Sequence, residues 1–232
     1  MKFLKHLPNA LTLSNLMMGT LAILSTWLFE YDIVLYLVAG CLVADILDGA
    51  LARKLGVAGG LGIQLDSLAD LVSFGVLPAV IIFRMHPAIV SQPIDEILHM
   101  ILASLVAVSA GLRLARFNID TRPREFFSGL ATPAGGIMVT ALGWSVFIRQ
   151  DFSSNTDILN VISGILPVFL AILYQVPLKL PGLKSPKSGL YTLIAIALFI
   201  VIGFVLWGPI SIALGILLYV LAGLLNLLLK WY

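Results

Sequence analysis

The sequence predicts an all-α, polytopic integral membrane protein with about eight transmembrane helices. Apolar residues make up 60% of the 232-residue chain, against about 45–50% in soluble domains. Charged residues make up only 11%, against about 25% in soluble domains. Apolar runs of about twenty residues recur along the whole length, which is the length that a helix needs to cross a bilayer. This composition excludes an ordinary soluble domain.

Eight apolar segments follow one another with short links, and the fifth is the shortest. Because no internal repeat or low-complexity segment divides the chain, residues 1–232 are predicted to form one domain. Residues 1–8 carry Lys2, Lys5 and His6 among apolar side chains. They are expected either to lie on the membrane surface as a short amphipathic helix or to remain a basic tail. The predicted spans are residues 11–29, 33–54, 62–83, 97–117, 133–148, 158–176, 189–207 and 210–229.

The lysines and arginines predict the orientation of these spans. With eight spans both termini lie on the same side, and all of the 14 basic residues except Arg84 and Arg149 fall on that side. Cytoplasmic loops carry the excess of Lys and Arg, so both termini are predicted to be cytoplasmic. The basic residues in this count include Arg122, Arg124, Lys184 and Lys230. The formal charge of +2 is too small to indicate a nucleic-acid partner.

Four aspartates lie inside the second and third predicted spans: Asp45, Asp48, Asp66 and Asp70. An aspartate at the centre of a membrane helix costs about 2.5–3.5 kcal/mol on insertion scales, so four cost about 10 kcal/mol. Acids kept at such a cost indicate a binding site. A cation transporter and a metal-dependent enzyme both fit this observation alone.

The spacing places each pair of aspartates on one helix face. Asp45 and Asp48 are three residues apart, and Asp66 and Asp70 are four apart. Asp45 lies about 13 Å along its helix from Lys54, within the membrane but toward the cytoplasm. A short glycine-containing turn joins the two helices, so the acidic faces are expected to oppose each other. Two divalent cations would balance four carboxylates, and oxygen-only ligands favour Mg²⁺ or Mn²⁺ over zinc.

Small and basic residues accompany the first pair of aspartates. Gly49 and Ala52 lie on or beside the acidic face and would let a flat ligand approach the helix backbone. Arg53, at the cytoplasmic end of this face, is suited to hold a phosphate. Together with metal ions, these residues suggest that the ligand is a nucleotide pyrophosphate. A cation transporter would explain the aspartates, but it would not explain Gly49, Ala52, Arg53 and Gly62 at their fixed spacing.

Residues 45–70 carry a recognisable pattern. They match D-x2-D-G-x2-A-R-x8-G-x3-D-x3-D at all eight fixed positions. A chance match has a frequency on the order of 10⁻¹⁰ per starting position. The chain therefore resembles the CDP-alcohol phosphatidyltransferases. The pair Thr12 and Asn15 is similar to the first helix of that family.

Flanking segments resemble the phosphatidylserine synthase branch of the family. They are residues 65–75 (LDSLADLVSFG) with Pro78 and Ala79, residues 112–118 (LRLARFN) and residues 127–130 (FSGL). The branch usually has a proline where this chain has Ala131. The matches cover about residues 8–140, whereas the last three spans are matched only by hydropathy and number.

The resemblance implies the transfer of a phosphatidyl group from CDP-diacylglycerol to the hydroxyl of L-serine, with release of CMP. It implies that Asp45, Asp48 and Asp66 bind the metal ions. It also implies that Asp70 is the general base and lies near a metal. Other acceptors (glycerol 3-phosphate or inositol phosphate) and an archaeal ether-lipid donor remain alternatives. The family further implies a homodimer in the cell membrane, with the active site facing the cytoplasm.

Substrate contacts are expected from three groups of residues. The CDP-lipid is expected to bind at Gly49, Ala52, Arg53 and Gly62. Thr12 and Asn15 either join this CDP-lipid site or form hydrogen bonds between helices. The serine carboxylate or the lipid phosphate is expected to bind at Arg113 and Arg116, with Asn118 orienting the amino acid. For the two arginines the alternative is the ordinary basic flank of a cytoplasmic span.

Overall fold

The protein is helical almost throughout. A computed structural model describes residues 3–57, 59–86, 93–120, 127–150, 155–180 and 187–229. A 3₁₀ turn at Phe3–His6 precedes the first helix, so part of the predicted segment 1–8 is a helical lead-in to it. The α-helices are α1 (Leu7–Trp27), α2 (Tyr31–Lys54), α3 (Leu61–Leu71), α4 (Leu77–Met85), α5 (Pro93–Ile119), α6 (Thr132–Phe147), α7 (Thr156–Gln175), α8 (Lys187–Trp207) and α9 (Ile210–Leu229).

A helical segment lies at each of the eight predicted spans, which confirms the polytopic all-α fold class. Six helices in the described ranges are long and apolar enough to cross a membrane: α1, α2, the continuous segment Leu61–Met85, α5, α7 and α8. The helix α6 has 16 residues, and the apolar segment of α9 is also short. The count of eight spans and the cytoplasmic termini stay predictions. Of the residues that predict the orientation, Lys2, Arg122, Arg124, Lys184 and Lys230 lie outside the described residues.

The third span is interrupted by a π turn at Val72–Val76, between α3 and α4. Pro78 follows this turn in the first positions of α4. Proline has no N–H, so it cannot donate the α-helical bond to the carbonyl of Phe74, and the helix widens at this point. The sequence predicted one regular helix here. The π turn is therefore a local feature that hydropathy did not reveal.

The buried core surrounds this π turn. Helix α1 packs against both α2 and α3, while α5 and α6 pack against the π turn. Phe74, in the turn, is fully buried, and so are Leu77 and Ile81 in α4. Most of the large apolar side chains of α8 are exposed, as expected for a helix that faces lipid.

A short β-pair ties two loops together at the end of the bundle where α2 ends and α3 begins. Phe127–Ser128 (β1) pairs antiparallel with Lys179–Leu180 (β2). Gly129 follows with a φ of +73°, and its N–H donates to the carbonyl of Leu178 at 3.1 Å. The start of α6 is thereby fixed to the end of α7.

Aromatic and polar contacts hold the opposite end of the bundle. The indole N–H of Trp144 donates to Asp32 at 2.6 Å. The Arg84 guanidinium lies 4.9 Å from the Trp27 ring centroid and 4.5 Å from that of Phe29. These cation–π contacts join the end of α4 to the α1–α2 turn.

Gly136→Ala is expected to destabilise the protein, because Gly136 of α6 lies directly on the π turn. An added Cβ would lie 2.9 Å from the Cα of Phe74, which is backbone and has no room to move. Overpacking of this kind costs about 1–3 kcal/mol. Thermal unfolding in detergent measures the loss. Gly164→Ala in α7 is the matched control, because its nearest neighbour would be the His99 ring at 3.9 Å. Equal melting temperatures for the two variants would contradict the close packing.

Candidate active site

The four aspartates converge in a cleft between α2 and α3. Both helices pack on α1, and a turn containing Gly56, Gly59 and Gly60 joins them. All three glycines have positive φ values of 52° to 133°, which residues with a Cβ rarely adopt. The turn reverses the chain so that the acidic face of α3 is directed at that of α2, as the sequence predicted.

Three of the four carboxylates form a compact group. One oxygen from each of Asp45, Asp48 and Asp66 lies within 4.8 Å of the other two. Oδ1 of Asp66 is buried and accepts no hydrogen bond from any residue that the structure describes. A divalent cation would satisfy this oxygen, and an all-oxygen donor set suits Mg²⁺ or Mn²⁺. Asp70 lies outside this group of three, so its predicted metal contact stays a prediction.

Helix α1 holds two of the carboxylates by hydrogen bonds. The hydroxyl of Thr12 donates to Oδ2 of Asp48 at 2.5 Å, and the amide of Asn15 donates to Oδ1 of Asp70 at 3.4 Å. Thr12 and Asn15 are three residues apart and share the face of α1 that meets the cleft. All four side chains of these two bonds are buried. The structure therefore contains the hydrogen bonds between helices that were one of the two alternatives for Thr12 and Asn15.

A cavity of about 180 Å³ opens beside the aspartates. Of the six predicted CDP-lipid residues, five line it, and the sixth, Asn15, is buried and is not part of the lining. Asp48 and Asp66 reach its wall, so the carboxylate group and the cavity form one site. The full lining is Pro8, Asn9, Thr12, Asp48, Gly49, Ala52, Arg53, Val57, Gly59, Gly62, Ile63 and Asp66.

Two glycines keep this cavity open. A Cβ on Gly49 would lie 3.3 Å from Nη1 of Arg53, so the missing side chain leaves room for the guanidinium to fold back along α2. A Cβ on Gly62 would lie 3.3 Å from Oδ1 of Asn9. Sequence reasoning missed Asn9. The signal that could have found it is its spacing from Thr12: Asn9 lies three residues earlier and therefore shares a helix face with Thr12.

The predicted acceptor residues lie on α5 and bond to neighbouring helices. Nη1 of Arg113 donates to the hydroxyl of Thr132 at 3.1 Å. Nη1 of Arg116 donates to the side-chain carbonyl of Gln175 at 2.7 Å. These bonds tie α5 to α6 and α7. The acceptor roles of both arginines stay predictions.

Asn118 is bonded to the acidic helix itself. Its amide donates to the hydroxyl of Ser67 at 2.9 Å, and Ser67 directly follows Asp66 in α3. This bond places the end of α5 beside the carboxylate group. Its predicted role in orienting the acceptor stays a prediction.

Known proteins match this chain over most of its length. Residues 5–173 match the model of the CDP-alcohol phosphatidyltransferase family. A CDP-diacylglycerol–serine O-phosphatidyltransferase of Helicobacter pylori is 30% identical over 200 residues, or 85% of this chain and 81% of that protein. The enzyme of the same name from Methanocaldococcus jannaschii is 30% identical over 84% of this chain and 83% of its own. That from Bacillus subtilis is 32% identical over 61% of this chain and 77% of its own.

Proposed function

The chain belongs to the CDP-alcohol phosphatidyltransferase family, and from this premise we propose that it makes phosphatidylserine. It transfers the phosphatidyl group of CDP-diacylglycerol to the hydroxyl of L-serine and releases CMP. The observation that carries this proposal is the group formed by Asp45, Asp48 and Asp66, of which Asp48 and Asp66 line a cavity together with other residues of the motif. The relatives named for this reaction support serine as the acceptor.

The proposed reaction is one displacement at phosphorus. The serine hydroxyl oxygen bonds to the phosphorus that carries the diacylglycerol, and the bond from that phosphorus to the CMP oxygen breaks. Asp70 accepts the hydroxyl proton, since a carboxylate within hydrogen-bond reach makes the hydroxyl a better nucleophile. Asp45, Asp48 and Asp66 would hold one or two Mg²⁺ or Mn²⁺ ions, which supply charge neutralisation for the pyrophosphate and the leaving CMP.

The cavity residues bind the nucleotide end of the lipid in this proposal. Gly49, Ala52 and Gly62 present little side chain, so the pyrophosphate can approach the backbone of α2 and α3. Arg53 is exposed at the cavity rim, where its guanidinium can pair with a phosphate. Thr12 combines its bond to Asp48 with a position on the cavity wall.

Serine binding is assigned to the end of α5. Arg113 and Arg116 supply guanidinium groups for the carboxylate of serine or the phosphate of the lipid, and Asn118 supplies an amide for the amino acid. The bond from Asn118 to Ser67 supports this assignment, because it connects this end of α5 to the residue next to Asp66.

The membrane setting fits a lipid donor and two water-soluble groups. The diacylglycerol chains stay in the bilayer, while CDP and serine are reached from the side that carries Arg53 and Lys54. By the distribution of basic residues this side is cytoplasmic, in a multi-pass protein of the cell membrane. We also propose a single domain, because the predicted spans follow one another with short links and without repeats, and a homodimeric assembly, as the family resemblance implies.

CMP release is expected to be fastest with L-serine when the purified protein is given CDP-diacylglycerol and Mn²⁺ or Mg²⁺. The measurement compares L-serine with glycerol 3-phosphate and inositol phosphate at equal concentrations. A matched pair of donors, one with ester-linked and one with ether-linked chains, tests which type of lipid donor the protein uses. Equal or faster release with a phosphorylated alcohol would contradict the serine assignment but retain the reaction class. No CMP release with any acceptor would contradict the proposed function.

A further inference from the structure

Ser73 is a buried polar residue to which the proposed mechanism gives no part. It lies in the π turn, three residues after Asp70, and is 1% exposed. Its hydroxyl lies 2.8 Å from Oδ1 of Asn15 and 3.3 Å from the main-chain carbonyl oxygen of the same residue. The side-chain oxygen is the nearer acceptor. Ser73 and Asp70 therefore reach the same asparagine from one helix.

A close approach of two helix backbones makes this contact possible. Gly19 of α1 lies against Ser73, and a Cβ at Gly19 would lie 3.0 Å from the Cα of Ser73 and would collide with its hydroxyl. On the other sides of the turn, Gly136 lies against Phe74, and Gly75 lies against Ala110. The π turn is thus enclosed by three helices, which fixes the position of Ser73.

The hydrogen bonds of Asn15 have a definite direction. An ionised carboxylate only accepts hydrogen bonds, so the amide nitrogen of Asn15 must face Asp70 and its amide oxygen must face Ser73. The hydroxyl of Ser73 then donates to that oxygen. Asn15 is fully buried, and its amide is held between the two partners. The order of donation runs from Ser73 to Asn15 to Asp70.

We propose that Ser73 and Asn15 are positioning residues for Asp70, and that the π turn places Ser73 where it can orient the Asn15 amide. This inference rests on the proposed function, in which Asp70 accepts the proton of the acceptor alcohol. Asn15 holds the carboxylate directly, and Ser73 acts through Asn15. Neither side chain touches the substrate in this arrangement.

Simple packing is the alternative explanation for the pair. Serine and asparagine side chains often satisfy each other between membrane helices. In that case their loss lowers the melting temperature and leaves kcat unchanged. If Ser73 acts through Asn15, its contribution to turnover disappears once Asn15 is removed. A double-mutant cycle on kcat separates these cases.

The test compares the full-length wild type with Ser73→Ala, Asn15→Ala and the double variant, using CMP release with CDP-diacylglycerol and the best acceptor. Loss of a partner that orients a site residue typically costs about 10- to 100-fold in activity. We expect each single variant to lose kcat in this range while the KM for CDP-diacylglycerol stays unchanged. The double variant is expected to match Asn15→Ala within about twofold. Ser73→Cys keeps the shape with a weaker donor and is expected to fall between serine and alanine.

Ser211→Ala is the matched control. This serine is also fully buried, and its hydroxyl lies 2.9 Å from the carbonyl oxygen of Gly208, near the start of α9. It is expected to lower the melting temperature without changing kcat. Melting temperatures of all variants are measured in parallel. If Ser73→Ala does not fold, the kcat of Ser73→Cys, alone and combined with Asn15→Ala, takes its place in the comparison.

Two results would overturn the inference. One is a wild-type kcat in Ser73→Ala, and the other is an equal loss from Ser73→Ala with and without Asn15. The comparison uses whichever acceptor the wild type accepts, so a failed serine assignment leaves it intact. A wild type that releases no CMP with any acceptor overturns the proposed function and the inference together.

Discussion

Asp70→Asn is expected to abolish turnover while the protein still binds CDP-diacylglycerol. The substitution keeps the shape of the side chain but removes the group that accepts the proton of the serine hydroxyl. A positioned general base contributes about 100- to 10,000-fold to a rate. We therefore expect kcat to fall at least into this range. Asp70 is buried beside Asn15 and is not among the residues that line the cavity, so we expect the nucleotide contacts to stay in place.

Two measurements on Asp70→Asn separate catalysis from binding. CMP release gives kcat, and binding of CDP-diacylglycerol to the purified protein gives the affinity. Asp32→Asn is the control, because Asp32 lies at the far end of α2 and its oxygen accepts a bond from Trp144 that asparagine can also accept. Retained turnover in Asp70→Asn would remove Asp70 as the base. Lost lipid binding would show that Asp70 belongs to the binding site instead.

Removal of divalent cations is expected to eliminate CMP release, and addition of Mn²⁺ or Mg²⁺ is expected to restore it. Asp45, Asp48 and Asp66 bring three carboxylates within 4.8 Å, and such a group repels itself without a cation. A ligand that binds only the folded state at 100 times its dissociation constant stabilises that state by about 2.7 kcal/mol. The metal is therefore expected to raise the melting temperature as well as the activity.

Asp66→Asn tests the metal site independently of turnover. Oδ1 of Asp66 is buried and accepts no hydrogen bond within the described part of the chain, so this variant is expected to lose most of the metal-dependent rise in melting temperature. Asp32→Asn again provides the control and is expected to keep the full rise. Undiminished CMP release after thorough chelation would contradict a metal-dependent reaction. An unchanged metal response in Asp66→Asn would contradict Asp66 as a ligand.

The helices and the acidic cleft could be predicted from the sequence because both depend on local patterns. A run of about twenty apolar residues specifies a membrane helix, and spacings of three and four residues specify a shared face. Asp45 and Asp48 on α2, and Asp66 and Asp70 on α3, therefore oppose each other as expected. The turn between the helices is short enough to leave little choice of arrangement.

The contacts of α1 with the site depend on residues that are far apart in the chain. Thr12 bonds to Asp48 across 36 residues, and Asn15 contacts Ser73 across 58. No periodicity in one helix reports such a pairing. The sequence identified Thr12 and Asn15 by resemblance and left open whether they face substrate or another helix. Ser73 was part of the matched segment, but its role depends on the π turn, which hydropathy does not encode.

The π turn also sets the rotational phase of the third span. An α-helix advances about 100° per residue, and a π turn contains an additional residue within its wider loop. If this segment became a regular α-helix and kept the additional residue, Leu77–Met85 would rotate by about 100° relative to Asp66 and Asp70. The buried face of α4 would turn toward lipid while the aspartates stayed in the cleft. The π turn thus keeps Asp66, Asp70 and the buried face of α4 in register, and a one-residue gap here in an aligned relative is expected to accompany a regular helix that buries the same face.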